Sequence, residues 1–184
     1  FTGSEEDVVD RLYHAAQYYQ AQAVLRIKAD CAFVDPNIIT RMIHKFNICQ
    51  WDYAGINTAA SIVHAKPPRF PDGLDAEIIR FSSLQQVWRD AQNTLQREQV
   101  TPYIFQNPKL FKLGILSPGQ DYSHLRLAVS TPSDYAFAKM IYKNLYKPGQ
   151  VFKFSDIVEF LAKHMDLVKI NQKYMNQTKI EQTI

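Results

Sequence analysis

Short apolar runs alternate with longer stretches in which apolar residues recur at helical spacing. The runs predict five strands, at residues 23–27, 51–56, 74–81, 111–116 and 125–129. The helical stretches follow most of these runs, and strand, loop and helix in succession is the unit of a parallel α/β sheet. The pattern therefore predicts an α/β domain over residues 1–168, followed by a polar, loosely held tail over residues 169–184.

Helix starts are marked by capping residues. Ser4 precedes three consecutive acids, which favour the positive end of a helix dipole. Asp35 and Thr131 each precede a proline, and proline is favoured at the first helical position. Further helices are predicted from Ser82 and after Ser155.

Composition limits the class of protein. With 184 residues, 46% hydrophobic and 21% charged, the chain matches an ordinary globular domain. No apolar run approaches the ~18 residues of a membrane span, and the acidic start differs from a secretory signal, so we expect a cytoplasmic protein with no membrane partner. The net charge of +3 is small and no arginine-rich cluster is present, so we expect no nucleic-acid partner.

Asp30 is a candidate metal ligand because it follows the predicted strand 23–27. In open α/β sheets, ligands bind outside the carboxyl ends of the strands. An acidic pair at such an edge could hold Mg²⁺, which prefers oxygen ligands. Alternatively, Asp30 hydrogen-bonds the amides of its own loop. Spacing leaves both interpretations open.

The segment PDGLDAE, residues 71–77, places Asp72, Asp75 and Glu77 around Gly73. A turn explains Asp72 and Gly73. Alternation along a strand puts Asp75 and Glu77 on one face, where they could accept sugar hydroxyls or form a solvated edge.

Two further positions carry candidate chemistry. Arg97, beside Glu98, could bind a carboxylate or phosphate with its planar guanidinium, although an ion pair is the simpler interpretation. Ser130 ends the predicted strand 125–129 but lacks the GxSxG turn of a hydrolase nucleophile. The sequence also has no Walker loop and no GxGxxG.

Five colinear segments carry a resemblance to a known family. They are FTGSEEDVVDRLYHAA, VLRIKADCAFVDP, FPDGLDAEI, QREQVTPYIFQNPKLFKLGIL and SHLRLAVSTPSDYAFAKMIYKNLY, and the match runs from Phe1 to about residue 165. Together they resemble the SpsF-type spore coat polysaccharide cytidylyltransferases, relatives of the acylneuraminate cytidylyltransferases. The resemblance implies a Rossmann-like nucleotide-diphospho-sugar transferase fold, incomplete at the N-terminus because the family's triphosphate loop would precede Phe1.

The resemblance also implies a function. The family activity is Mg²⁺-dependent transfer of CMP, or another nucleotidyl group, from a nucleotide triphosphate to a sugar or sugar acid in surface polysaccharide biosynthesis. As a fragment, this chain alone should be inactive, and the exposed edge of a truncated sheet could favour a homodimer. The alternative is a degenerate, non-catalytic domain that binds a sugar, a nucleotide or a partner protein.

Family roles carry over to residues that match the family pattern. Asp30 matches a metal-binding catalytic aspartate, and Arg97 matches a catalytic arginine. Ser130 stands at the place of a second metal-binding aspartate, and a neutral hydroxyl is a weaker Mg²⁺ ligand than a carboxylate. The matching substrate-binding residues are Asp72, Gly73, Asp75, Glu77 and Glu98.

Overall fold

The computed structural model describes residues 2–58 and 67–174. The four strands are β1 (Ala23–Ile27), β2 (Tyr53–Ile56), β3 (Ala76–Arg80) and β4 (Leu113–Leu116). The α-helices of the described residues are α1 (Val8–Tyr18), α2 (Pro36–Ile48), α3 (Phe81–Asp90), α4 (Thr94–Gln99), α5 (Thr101–Gln106), α6 (Pro132–Leu145) and α7 (Phe154–Lys163). Two 3₁₀ helices follow, at Leu167–Ile170 and Gln172–Tyr174. In this part of the chain, every helix is too short or too polar to cross a bilayer.

The chain forms two compact units. The first unit comprises Phe1–Arg26, Met42–Gly55 and Glu77–Leu116. The second comprises Ile27–Arg41, Ile56–Ala76 and Ser117–Ile184.

The sheet belongs mainly to the first unit and has the strand order β1-β3-β2-β4. The pairing of β2 with β3 is antiparallel, with Tyr53 opposite Ile79 and Gly55 opposite Glu77. The sequence had predicted the strand, loop and helix units of a parallel sheet, and for this pair that prediction is wrong. A parallel pair requires a crossover, usually a helix, whereas the described residues between β2 and β3 include no helix.

An aromatic stack joins α1 to α3 in the first unit. The rings of Tyr13 and Trp88 lie 4.2 Å apart, nearly parallel. The indole nitrogen of Trp88 donates to the Asp10 carboxylate at 2.8 Å, so the polar edge of the half-buried ring is satisfied.

Two helices begin at the predicted residue, and in each case that residue is a proline. Helices α2 and α6 begin at Pro36 and Pro132, as predicted. Helix α3 begins at Phe81 directly after β3, whereas the sequence predicted a start capped by Ser82. The amide of Phe81 donates to the carbonyl of Gln22, so neighbouring backbone replaces a side-chain cap.

The predicted strand 125–129 is the main error in the second unit. This segment is buried and irregular, with a single isolated bridge between Asp72 and Arg126. The amides of Leu127 and Ala128 both donate to the Asp72 carbonyl, which leaves no regular ladder. Gly73, at φ +94°, allows this close approach, because a Cβ there would lie 2.0 Å from the Ala128 nitrogen.

A buried polar cluster, which we call the Asp134 cluster, comprises Asp72, Arg126, Asp134 and Asn171. Arg126 donates to the Asp72 carboxylate, and its Nε and one terminal nitrogen donate to Asp134 at 2.9 and 3.0 Å. Asp134 is fully buried. Burial alone would raise the pKa of Asp134, but the hydrogen bonds from Arg126 and Asn171 outweigh it and lower the pKa below its ordinary value.

Asn171 falls within the range predicted as a polar, loosely held tail, yet it is 1% exposed. Its side-chain nitrogen donates to the Arg126 carbonyl at 3.2 Å and to Asp134 at 2.9 Å. At this residue the chain is therefore held by buried hydrogen bonds. The domain boundary at residue 168 stays a prediction.

We expect Asp134→Asn to lower the free energy of unfolding by about 3 kcal/mol, because it removes one charge of a buried ion pair. The measurement is urea unfolding at neutral pH. Asp156→Asn is the matched control, since Asp156 is the third residue of α7 and caps it in the same way at an exposed site. We expect the control to lose about 1 kcal/mol or less. Equal losses would show that the ion pair contributes nothing beyond the cap.

The lowered pKa of Asp134 also predicts a pH dependence of stability. The ordinary pKa of an aspartate is 3.8, and the pKa of Asp134 in the folded protein lies below it. The ionised carboxylate therefore makes its full contribution to the free energy of unfolding above about pH 5. This contribution is lost as the pH falls below 3.8 through the folded pKa. The difference in unfolding free energy between the native protein and Asp134→Asn should be constant from about pH 5 to 7 and shrink in acid. A difference that grows on acidification would contradict the assignment.

Candidate active site

The structure brings Asp30 and Ser130 together in the second unit. The Ser130 hydroxyl donates to the Asp30 carboxylate at 3.2 Å, across 100 residues of sequence. The Val129 amide donates to the Asp30 carbonyl at 2.9 Å, which fixes the two segments side by side. Asp30 is half-buried and Ser130 is exposed, so the pair can be reached from solvent.

The Cys31 thiol contacts two carboxylates. Its sulfur lies 3.6 Å from Asp30 Oδ1 and 3.8 Å from Asp75 Oδ2. Burial, and then the negative charges of Asp75 and Asp30, raise the pKa of Cys31 far above its ordinary value. The sulfur therefore remains a neutral thiol between the two acids.

Asp75 has internal hydrogen-bond partners. The buried Thr58 hydroxyl donates to one of its oxygens, and the Gly73 amide donates to the other at 3.1 Å. These contacts shape the turn at residues 72–75. Asp72 lies in the buried ion pair with Arg126. The substrate-binding roles of Asp72, Gly73 and Asp75 stay predictions.

Glu77 lies in the first unit, where both of its oxygens accept hydrogen bonds. Arg26 donates to one oxygen at 2.7 Å, and the Tyr53 hydroxyl donates to the other at 2.8 Å. Arg26 also donates to the Gln99 carbonyl at 3.3 Å. Glu77 is half-buried, and its contact with a sugar stays a prediction.

Arg97 forms an ion pair with the start of α1. Its Nε and one terminal nitrogen donate to Asp7 at 2.9 and 2.6 Å, and its other terminal nitrogen donates to the Trp88 carbonyl at 2.6 Å. These contacts match the ion-pair interpretation of Arg97 and tie α4 to α1 and α3. The neighbouring Glu98 is exposed. Catalytic and substrate-binding roles for these two residues stay predictions.

The donor set at Asp30 fits one kind of metal site. Within residues 2–58 and 67–174, no three His, Cys, Asp or Glu side chains are grouped to hold a metal ion. Asp30 and Ser130 offer one carboxylate and one hydroxyl, all oxygen. Mg²⁺ commonly takes one or two carboxylates and completes its shell with water and substrate phosphates, so it suits this pair when phosphates are present.

Four residues that support this site were not predicted from the sequence: Thr58, Arg126, Asp134 and Asn171. A signal existed for Asp134, because Thr131 followed three residues later by an acid is a capping-box pattern. No comparable local signal marks Asn171, whose partners lie 37 and 45 residues away.

Two known proteins are similar in sequence to this chain. An uncharacterized protein of Methanocaldococcus jannaschii is 31% identical over 175 residues, which cover 93% of this chain and 66% of that protein. The spore coat polysaccharide biosynthesis protein SpsF of Bacillus subtilis is 27% identical over 169 residues, covering 90% of this chain and 65% of SpsF. The chain thus spans just under two thirds of the length of these relatives.

A solved structure shares the fold. A cytidylyltransferase from Leptospira borgpetersenii serovar Hardjo-bovis matches with a TM-score of 0.80 and 25% identity, over 91% of this chain and 67% of that one. This match confirms the predicted nucleotidyltransferase-like α/β fold. The family model described as cytidylyltransferase matches residues 1–180, and the chain therefore belongs to the cytidylyltransferase family.

Proposed function

We propose that this chain is part of a Mg²⁺-dependent nucleotidyltransferase that transfers CMP from CTP to a sugar or sugar acid. Membership of the cytidylyltransferase family supports the reaction class. The name of the B. subtilis relative supports a place in surface polysaccharide biosynthesis. The contact between Asp30 and Ser130 at a solvent-accessible edge is the observation that carries the proposal.

The reaction requires little covalent chemistry from the protein. A hydroxyl oxygen of the sugar attacks the α-phosphorus of the nucleotide, the bond to the bridging oxygen breaks, and pyrophosphate leaves. The hydroxyl proton passes to water or a nearby base. Positioning and neutralisation of the phosphate charge therefore dominate catalysis. A site whose ligands are oxygens suits this demand.

Asp30 is the residue that would hold the cation, with Ser130 beside it. When bound, Mg²⁺ supplies positive charge to the phosphate oxygens. The Ser130 hydroxyl donates to Asp30 and orients its carboxylate. Since serine is neutral, Asp30 provides the single negative charge of this pair, and affinity for the cation depends strongly on the phosphates of the nucleotide.

The proposal includes a cytoplasmic location. Nucleotide triphosphates are cytoplasmic metabolites, so we place the reaction in the cytoplasm. Which sugar is used depends on the acceptor side of the site.

A second candidate function is a non-catalytic domain that binds a sugar, a nucleotide or a partner protein. The observation in its favour is that Asp72, Asp75 and Glu77 all accept internal hydrogen bonds or form ion pairs. A domain that has lost catalysis can keep such acids for stability. Nucleotide binding without turnover would identify this alternative.

We expect Asp30→Asn to lower CTP-dependent pyrophosphate release by a factor on the order of 10² to 10³, as for loss of a comparable electrostatic group. The assay uses the native protein, meaning the full-length protein of which we propose this chain to be a part. Coupled pyrophosphate detection with several sugars and sugar acids, at fixed Mg²⁺, is the measurement. Asp121→Asn is the control, because Asp121 is an exposed acid of the same unit that accepts a hydrogen bond from its own turn. Unchanged turnover in Asp30→Asn would contradict the proposed role. An inactive native protein that still binds CTP by calorimetry would favour the second function.

We expect Ser130→Asp to make stability depend on Mg²⁺. A second carboxylate beside Asp30 should cost about 1 kcal/mol without metal, because two like charges lie about 4 Å apart. Mg²⁺ at ten times its dissociation constant should raise the free energy of unfolding of this variant by about 1.4 kcal/mol. Thermal unfolding in EDTA and in Mg²⁺ measures both effects. Ser130→Asn is the control, because asparagine is neutral and similar in size to aspartate, and it should show neither effect. A Ser130→Asp protein whose stability does not change with Mg²⁺ would refute a cation site here.

A further inference from the structure

We propose that Asn171 is a positioning residue for the Asp30–Ser130 site and acts through the carboxylate of Asp134. This inference rests on the proposed function for its catalytic consequence. Its structural part, the control of the Ser130 backbone by Asn171, stands on the hydrogen bonds of the second unit alone.

Asn171 is placed to control the orientation of Asp134. Its side-chain nitrogen donates to Asp134 Oδ1 at 2.9 Å, and the same oxygen accepts from Arg126 Nε at 2.9 Å. Loss of Asn171 would leave Oδ1 with Arg126 Nε as its one remaining donor, so the carboxylate could shift about the donors that converge on its other oxygen. Asn171 is 1% exposed, so water cannot readily replace it.

The other oxygen of Asp134 holds the backbone of the site. Asp134 Oδ2 accepts from the Ser130 amide at 3.2 Å and from the Thr131 amide at 3.0 Å. A tilt of the carboxylate therefore displaces the backbone that carries Ser130. Arg126 also donates to this oxygen at 3.0 Å, which couples the two sides of the carboxylate.

The last step runs from the Ser130 backbone to Asp30. The Ser130 hydroxyl donates to the Asp30 carboxylate at 3.2 Å, so a shift of residue 130 changes the geometry at the candidate cation ligand. Displacement of a reacting group by about 1 Å can cost a factor of about 10² in rate. Three consecutive hydrogen bonds thus connect a residue beyond the predicted domain boundary to the candidate site.

The structural part is tested by amide hydrogen exchange on Asn171→Ala in the native protein. Val168→Ala is the matched control, because Val168 is a buried residue of the preceding 3₁₀ helix and would loosen the same segment through lost packing. We expect the Ser130 and Thr131 amides to exchange at least tenfold faster in Asn171→Ala than in Val168→Ala. Amides of α7 should change alike in both variants. Equal exchange of Ser130 and Thr131 in the two variants would overturn the inference.

The catalytic part is tested by the Mg²⁺ dependence of CTP turnover. Asn171→Ala should raise the Mg²⁺ concentration for half-maximal activity about tenfold and lower kcat, while Val168→Ala should leave both near the native values. The double variant Asp30→Asn/Asn171→Ala should be no slower than Asp30→Asn alone. The reason is that the effect of Asn171 passes through Asp134 and Ser130 to the Asp30 carboxylate, which the double variant lacks. Strictly additive losses would show that Asn171 acts elsewhere. If the native protein shows no turnover, the proposed function fails, but the hydrogen-exchange result still decides the structural part.

Discussion

The second unit depends on a buried negative charge that must be satisfied. Asp134 is fully buried, and an isolated carboxylate in that environment would be very costly. Two side-chain partners, Arg126 and Asn171, and two backbone amides, those of Ser130 and Thr131, converge on it. The chain around Asp134 therefore adopts a conformation that supplies hydrogen-bond donors to this carboxylate. That requirement determines the path of the backbone more than local secondary-structure propensity does.

This constraint explains why the segment before α6 is irregular although its sequence is that of a strand. Regular pairing would direct the amides of Leu127 and Ala128 to a neighbouring ladder. Instead both donate to the Asp72 carbonyl, while the Arg126 side chain turns inward to Asp72 and Asp134. One guanidinium thus binds the turn at Asp72 to the first turn of α6. The buried side chains of Leu125 and Leu127 account for the apolar pattern without a strand.

The sequence allowed prediction of the features that depend on neighbouring residues. Starts of α2 and α6 follow from Asp35 and Thr131 before prolines, and Thr131 indeed accepts the Asp134 amide. The fold class was also predictable, from a resemblance spread over the chain. The buried position of Asn171 could not be predicted, because its hydrogen-bond partners are distant in sequence and polar residues follow it along the chain. The antiparallel pairing of β2 with β3 likewise depends on the path of the chain between them, which residue patterns within the strands do not determine.

Ser130 changes the electrostatics of the site in two opposite ways. Asp72 and Asp134 pair with the guanidinium of Arg126, while Asp30 and Asp75 flank the Cys31 thiol. A further acid at position 130 would add repulsion that a bound cation, or protonation, would relieve. Serine avoids that repulsion. In the proposed function, it would also reduce repulsion of an incoming triphosphate and weaken binding of the cation. The nucleotide phosphates would then supply the remaining negative ligands, so metal and nucleotide would bind together more readily than either would alone.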